Sequence, residues 1–169
     1  DDSFFVPNEY DGEVIVKGLS VKPFRVPHDA HYTVGYRIST GKEDIAIATD
    51  LGFVSDGTLA KLSGGKAVVL ESNHDPLMLE GGRYPRLLKA RIAGNRGHLS
   101  NDACAQTVAA LACTGTQKIV LAHLSEENNT PELAFEASRE LLARRGVREG
   151  DDVLLFVADQ FKPSGRITI

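Results

Sequence analysis

The feature that most constrains the fold is a change of hydrophobic pattern close to Asp50. Before it, short β-type segments follow one another with turns between them, which is typical of an antiparallel meander. After it, short apolar runs alternate with helical segments, as in sheets whose neighbouring strands are parallel. We therefore expect an α/β domain in which a mixed β-sheet is flanked by helices. The predicted strands are 14–16, 19–26, 32–38, 45–48, 67–70, 118–122 and 153–157.

The helices are predicted from their periodicity and their end signals. The last one is the best delimited, because Thr130 is suited to cap it, Pro131 to begin it and Gly146 to end it. Its apolar residues at helical spacing predict a buried stripe of Leu133, Ala137 and Leu141. The other predicted helices cover 56–62, 85–92 and 101–113.

The composition is that of one globular domain. The 169 residues are 42% hydrophobic and 25% charged, and no apolar run has the ~18–20 residues that a membrane span needs. The first residues carry no basic segment or cleavage site of a signal peptide, and they lack a Met, so we expect a chain that begins inside a larger protein. Cys104 and Cys113 are nine residues apart on one predicted helix and therefore lie on opposite faces, so they can neither form a disulfide with each other nor share a metal. Two unpaired cysteines are best suited to the reducing cytoplasm.

The charge is unevenly distributed. A net charge of −4 argues against a surface that coats nucleic acid generically. The segment from Arg83 to His98, however, contains no carboxylate and five basic side chains, which indicates a localised anionic ligand. The alternative is an ordinary solvated helix face. The five basic residues are Arg83, Arg86, Lys89, Arg91 and Arg96.

Ligand-type side chains follow several of the predicted strands. Asp50, Glu71 and His123 each come at or just after the end of an apolar strand, and His28 follows an earlier one. Because ligands bind beyond the carboxyl ends of strands in open α/β sheets, these side chains should converge on one edge. Carboxylates and imidazoles are ordinary ligands of zinc and manganese. The alternatives are strand-end histidines bonded to backbone, an Asp50 that caps the next helix, and a Glu71 that either orients a ligand or lies on the surface.

The same residues lie in sequence blocks that resemble the metallo-β-lactamase superfamily. In order and spacing the blocks are similar to the nucleic-acid-processing branch that includes ribonuclease Z. Four segments are most similar in sequence to the WalJ/YycJ type, small bacterial enzymes regarded as exonucleases: LESNHD, GRYP, RGHLSN and HLSEENNTPELA. The blocks are VPHDAHYTVGYRI at 26–38, IATDLG at 47–52, LESNHD at 70–75, GHLS at 97–100 and VLAHLS at 120–125.

The resemblance implies a fold and a set of roles. The fold would be the C-terminal part of the αββα sandwich. His28 and His123 would be metal ligands, Asp50 would bridge two divalent metals, zinc or manganese, and His98 would lie beside them and assist catalysis together with Asp50. The implied chemistry is hydrolysis of DNA or RNA by a hydroxide held on the metals. Roles in orienting the metal ligands or in binding the substrate are expected for Glu71, His74, Arg83, Arg86 and Arg96.

One departure from the family pattern is large. The His-x-His-x-Asp-His motif that supplies four ligands does not occur in the 169 residues. We therefore expect residues 1–169 to form a single partial domain that is inactive alone and that binds either the missing N-terminal half or a copy of itself as a homodimer. The alternative is a non-catalytic α/β module that binds a partner. A His-x-His-x-Asp-His upstream of Asp1 in the parent reading frame would decide for the enzyme.

Overall fold

A computed structural model of the chain describes residues 12–169. Within them, twelve elements follow in the order β1-β2-β3-β4-α1-β5-α2-α3-α4-β6-α5-β7. The strands are β1 Val14–Val16, β2 Leu19–Arg25, β3 Val34–Ser39, β4 Asp44–Ala48, β5 Ala67–Glu71, β6 Lys118–Ala122 and β7 Leu154–Val157. The helices are α1 Asp56–Leu62, α2 Pro76–Gly81, α3 Arg86–Ile92, α4 Asn101–Cys113 and α5 Pro131–Arg144.

The seven described strands form one sheet in which spatial order equals chain order. Strands β1 to β4 pair antiparallel, and strands β4 to β7 pair parallel through intervening helices. The mixed sheet with flanking helices is therefore confirmed. Pro23 of β2 pairs with Tyr36 of β3. On the β1 side, the last described pair is Val14 with Val21, so Pro23 lies beyond that ladder and its missing N–H removes none of the described hydrogen bonds there.

The core lies between one face of the sheet and three helices. Alternate strand residues such as Ala46, Val68 and Ile119 are fully buried there, in one cluster with Leu62 of α1 and Val108 of α4. Each fully buried aliphatic side chain of this kind stabilises the fold by about 1.5–3 kcal/mol. The core therefore fixes the strands whose ends carry the polar residues.

Two details of the helices differ from the sequence prediction. Helix α2 was not predicted; Asp75 caps it by accepting a hydrogen bond from Met78 N–H, and its six residues are too few for a periodic pattern. The predicted buried stripe of α5 is wrong, because Leu133 is 40% exposed. The helix buries a stripe shifted by one residue, in which small side chains allow close packing against α4. That stripe is Ala134, Ser138 and Leu142.

The two cysteines lie as predicted. Cys104 is buried and Cys113 is exposed, and both are free thiols on opposite sides of α4. Burial raises the pKa of the Cys104 thiol to about 12. Among residues 12–169, no helix combines the length and the apolar character that crossing a bilayer requires.

The second face of the sheet carries two apolar rows that do not belong to the core cluster of the described residues. Side chains alternate along a strand, so these rows point away from α1, α4 and α5. Tyr36 is 39% exposed, Pro23, Ala67 and Val120 are buried, and the other residues of the two rows are half-buried. One row contains Val21, Ile38, Ile45 and Ala67, and the other contains Pro23, Tyr36, Ile47, Val69, Val120 and Phe156. We call these two rows the open face.

We expect the isolated chain to self-associate through the open face, because a contiguous apolar patch of this kind is unusual on a monomer. Sedimentation velocity over a range of concentrations measures the association. The double change Ile38→Lys with Ile47→Lys should shift the dimer towards monomer by at least ~10-fold in dissociation constant. The control Leu87→Lys adds a charge at an exposed residue of α3 and should change nothing. A wild-type chain that stays monomeric at high concentration contradicts the prediction.

Candidate metal centre

Four elements bring the predicted site residues to one edge of the sheet. Asp50 lies two residues beyond β4, Glu71 is the last residue of β5, and His123 follows β6. These three strands are parallel, so their carboxyl ends share an edge. Strand β2 is antiparallel to β3, which is antiparallel to β4. Strand β2 therefore runs with β4, and His28, three residues beyond β2, reaches the same edge.

The side chains of this group converge on one carboxylate oxygen. Asp50 Oδ1 lies 3.8 Å from His28 Nε2, 3.7 Å from His123 Nε2 and 3.9 Å from His98 Nδ1. The ring centroid of His98 lies 5.0 Å from that of His28 and 5.5 Å from that of His123. Distances of this size are too long for hydrogen bonds. They leave space between the carboxylate oxygen and the imidazole nitrogens, as expected if these atoms bind the same metal ion.

Glu71 lies beneath these side chains and has no exposed surface. Its Oε1 accepts hydrogen bonds from His98 Nδ1 at 2.7 Å and from His123 Nδ1 at 2.8 Å, and its Oε2 accepts one from Leu51 N–H at 2.9 Å. A carboxylate can only accept, so both imidazoles carry a proton on Nδ1. The lone pair of each neutral ring is therefore on Nε2.

The hydrogen bonds also set the charge states. Burial alone would raise the pKa of the Glu71 carboxyl, but the hydrogen bonds from His123, His98 and Leu51 N–H outweigh it, and the pKa is lowered. The hydrogen bond to Glu71 raises the pKa of the His123 imidazole, against the opposing effect of burial. The site thus keeps a buried carboxylate ionised below its histidines.

His28 is held by the loop that precedes His98. Its Nδ1 donates to the carbonyl of Gly97 at 2.9 Å, and Arg96 Nε donates to the carbonyl of His28 at 3.2 Å. The approach is close: a Cβ on Gly97 would lie 2.1 Å from the carbonyl oxygen of Ile92. The absence of a side chain at Gly97 therefore lets the loop reach His28 and orient its Nε2 towards Asp50.

Two residues of the site have left-handed backbone conformations. The φ angle is +56° at Asp50 and +58° at His123. Such a conformation costs a non-glycine residue about 1–2 kcal/mol. The strain coincides with the strand ends where these side chains turn towards each other, as is common at functional sites.

A buried amide network, which the sequence analysis missed, supports His123. Asn73 Nδ2 donates to the carbonyl of His123 at 2.9 Å. Asn129 Nδ2 donates to the carbonyls of Ser72 and Asn73, and its side chain pairs with that of Asn101. The network joins the loops after β5 and β6 to the start of α4. Its only signal in the sequence was the presence of asparagines directly after strands or at helix starts.

The other predicted residues lie around this group in different ways. His74 is buried, with an Nδ1 that has no hydrogen-bond partner among the described residues, and burial lowers its pKa. Arg83 and Arg86 are exposed and form no ion pair within residues 12–169. Arg91 pairs with Asp29, whose Oδ1 lies 3.5 Å from His28 Nε2. Asp29 is not among the site residues predicted from the sequence.

A cleft of about 300 Å³ opens beside the histidines. Its lining includes the three histidines His28, His98 and His123, together with Tyr84 and residues of helix α3. The cleft gives a ligand access to the polar edge of the sheet.

The donor set suits a divalent cation. His28 Nε2 and His123 Nε2 lie 3.8 and 3.7 Å from Asp50 Oδ1, and the two rings are held through Nδ1 by Gly97 and Glu71. Among the described residues, the groups whose donor atoms all lie within 4.8 Å of one another are His28, Asp50 and His98, and Glu71, His98 and His123. Zinc and related ions bind such nitrogens and oxygens at about 2.0–2.2 Å. In typical zinc sites, a histidine binds the metal with one ring nitrogen and donates a hydrogen bond to a carboxylate or a carbonyl with the other. The residues present therefore fit a metal ion.

We expect Glu71→Gln to lower the free energy of unfolding by about 1–3 kcal/mol. An amide has one acceptor oxygen, so its NH₂ group must face either Leu51 N–H or the two imidazole Nδ1 protons. Urea unfolding followed by circular dichroism measures the loss. The control Glu80→Gln changes an exposed carboxylate and should change stability by less than ~0.5 kcal/mol. Equal effects of the two substitutions would show that Glu71 does not hold the site together.

Comparisons with known proteins identify the family of the chain. Residues 5–124 match the beta-lactamase superfamily domain. Exodeoxyribonuclease YycJ of Bacillus anthracis is 36% identical over 146 residues, which are 86% of this chain and 55% of that protein. Exodeoxyribonuclease WalJ of Streptococcus pneumoniae is 34% identical over 138 residues, 82% of this chain and 51% of that protein. The chain thus spans about half the length of these curated relatives.

Solved structures show the same fold. The metallo-beta-lactamase fold protein YhfI from Bacillus subtilis superposes with a TM-score of 0.64 at 11% identity, over 94% of this chain and 52% of that one. Zn²⁺-bound PqqB from Methylobacterium extorquens gives 0.56 at 21% identity, over 89% and 48%. The predicted fold and the WalJ/YycJ resemblance are confirmed, and the chain belongs to the beta-lactamase superfamily, with the metallo-β-lactamase fold.

Proposed function

We propose that this chain is part of a metal-dependent phosphodiesterase that acts on nucleic acid, in the manner of an exodeoxyribonuclease. The observation that carries the proposal is the approach of His28 Nε2 and His123 Nε2 to the same oxygen of Asp50. The relatives named exodeoxyribonuclease support a nucleic-acid substrate.

In this proposal His28, Asp50 and His123 hold two divalent metals, zinc or manganese, together with ligands from outside the 169 residues. When bound, the metals lower the pKa of a water and stabilise the charge that develops on phosphate oxygens. Glu71 could also be counted as a donor, since it clusters with His98 and His123. Its Oε1 already accepts two Nδ1 protons, so we assign it the role of orienting the imidazoles.

His98 has a different role from the other two histidines. Its Nδ1, and not its Nε2, is the nitrogen that faces Asp50 and Glu71. Its Nε2 has no hydrogen-bond partner among the described residues, and its ring lines the cleft. His98 can therefore accept a proton at Nε2 and donate it to the departing oxygen of a phosphodiester. Asp50 would contribute to catalysis as a ligand of the metals, together with His28 and His123.

The basic segment supplies the substrate contacts. Arg83, Arg86 and Arg96 are exposed, and the segment from 83 to 98 has no carboxylate of its own. Arg96 keeps its terminal nitrogens available although Nε is bonded to the carbonyl of His28. Cations in this position neutralise phosphates of the substrate backbone.

The activity belongs to a longer polypeptide or assembly. Three ligands make an incomplete site for two metals, and the His-x-His-x-Asp-His motif is missing from these residues. The open face is suited to bind the remaining half of the sandwich or, without it, a copy of this chain. The free thiols Cys104 and Cys113 favour a cytoplasmic location.

A non-catalytic partner-binding module is the second candidate. The apolar open face favours it, since that face needs a partner whether or not the chain takes part in catalysis. The two candidates differ in metal binding: only the enzyme needs His28, Asp50 and His123 as a set.

We expect the purified 169-residue chain not to hydrolyse DNA or RNA measurably with added manganese or zinc, because its ligand set is incomplete. A longer polypeptide that supplies the His-x-His-x-Asp-His motif should be active, and His98→Ala should lower its kcat by about 10²–10⁴. Release of labelled nucleotides measures both. Turnover by the 169-residue chain that His123→Ala abolishes would contradict the prediction.

We expect a triple change of Arg83, Arg86 and Arg96 to Glu to weaken binding of all nucleic-acid sequences alike. Each lost phosphate contact should reduce the slope of log affinity against log salt by about 0.7–0.9. Fluorescence anisotropy at several salt concentrations measures both quantities. The matched control replaces three arginines of α5 and its C-terminal end with Glu: Arg139, Arg144 and Arg145. An unchanged affinity and slope in the first variant would reduce the segment to a solvated surface.

A further inference from the structure

Part of the cleft lining is apolar, and hydrolysis does not account for it. Besides the ion pair of Arg91 with Asp29, the lining contains Tyr84, which precedes α3, and Leu88 and Ile92, one turn apart on α3. Helix α3 has no buried residue, and none of these three side chains belongs to the core cluster of the described chain. The three side chains are half-buried and line the cleft instead. Apolar surface kept at a site in this way indicates a ligand with an apolar part.

Charge and polarity narrow the chemistry of that ligand. The cations of the segment from 83 to 98 favour an anionic group, so we expect the apolar part of the ligand to be joined to a phosphate. The lining also contains Asn73, whose Nδ2 donates to the carbonyl of His123 and leaves Oδ1 as an acceptor, and Ser125, whose oxygen accepts from Asn128 N–H and leaves its hydroxyl hydrogen as a donor. An aromatic ring beside aliphatic carbons, with one acceptor and one donor in the same lining, suits a flat heterocycle with polar edges.

The size of the cleft favours a single base over a base pair. About 300 Å³ is at the lower end of small-molecule sites, which hold ~300–1,000 Å³. One base fits this volume. We propose that the cleft is a nucleobase subsite, in which a base at the end of a single strand stacks on Tyr84 and packs on Leu88 while its phosphate lies beside His28 and His123. The proposal rests on the proposed nucleic-acid function and names the part of the substrate that the site holds.

The test measures binding and needs no hydrolysis. The 169-residue chain is titrated, in the presence of a chelator, into a labelled single-stranded oligonucleotide and into oligonucleotides with an abasic residue at the 3′ or the 5′ end. For the wild-type chain, the abasic residue should weaken binding about tenfold at one of the two ends, because a stacked base contributes ~1–3 kcal/mol. Equal affinity for all three oligonucleotides, including no measurable binding of any, overturns the subsite.

Variants then locate the effect. Tyr84→Ala should remove the difference between intact and abasic ends, and Tyr84→Phe should keep it, because the ring is retained. Leu88→Ala should reduce the difference, whereas its neighbour Leu87, which is 86% exposed and does not line the cleft, should tolerate Leu87→Ala without effect. Tyr84→Ala that weakens intact and abasic oligonucleotides equally, with an unchanged circular dichroism spectrum, also overturns it.

The two proposals fail separately. Hydrolysis by the longer polypeptide without any base-dependent binding would leave the proposed function standing and remove the subsite. Base-dependent binding without hydrolysis by the longer polypeptide would leave the subsite standing and remove the phosphodiesterase.

Discussion

The arrangement of the site depends on the hydrogen bonds that the buried carboxylate of Glu71 accepts. This carboxylate is ionised inside the protein, where an unpaired charge would be costly, and three hydrogen bonds compensate for its burial. Two of those bonds fix the rings and tautomers of His98 and His123, and the third fixes the backbone beside Asp50. One side chain at the end of β5 therefore couples three segments that are far apart in sequence. The strained backbone at Asp50 and His123 is retained because this network holds it.

Much of the fold and the group of ligand-type residues could be predicted from local patterns. Strand ends are marked by the change from apolar to polar residues, so Asp50, Glu71 and His123 could be assigned to one edge before any coordinates. His28 was placed with them because it follows an earlier strand, whereas His98 was assigned from the resemblance, because a loop histidine has no periodic signal. The structure brings all five together. Their catalytic and metal-binding roles stay predictions.

What could not be predicted depends on tertiary contacts. Helix α2 is too short to show a period, and the packing of α4 on α5 selected the small stripe of Ala134 and Ser138 over the larger leucines. The asparagine network and the Arg91–Asp29 pair join residues more than twenty positions apart, which no single-sequence pattern connects. Polar residues that satisfy one another inside a protein look, in sequence, like ordinary loop residues.

The identity of chain order and spatial order in the sheet has a consequence for folding. Each strand pairs with the one made just before it, so during synthesis the sheet can grow at one edge without waiting for a distant segment. Asp50, Glu71 and His98 precede β6, and His123 follows it at once. The polar edge can thus assemble when β6 docks, while α5 and β7 are still emerging from the ribosome. Those last elements then cover α4 and the exposed edge of β6, which protects a growing sheet from pairing with other chains.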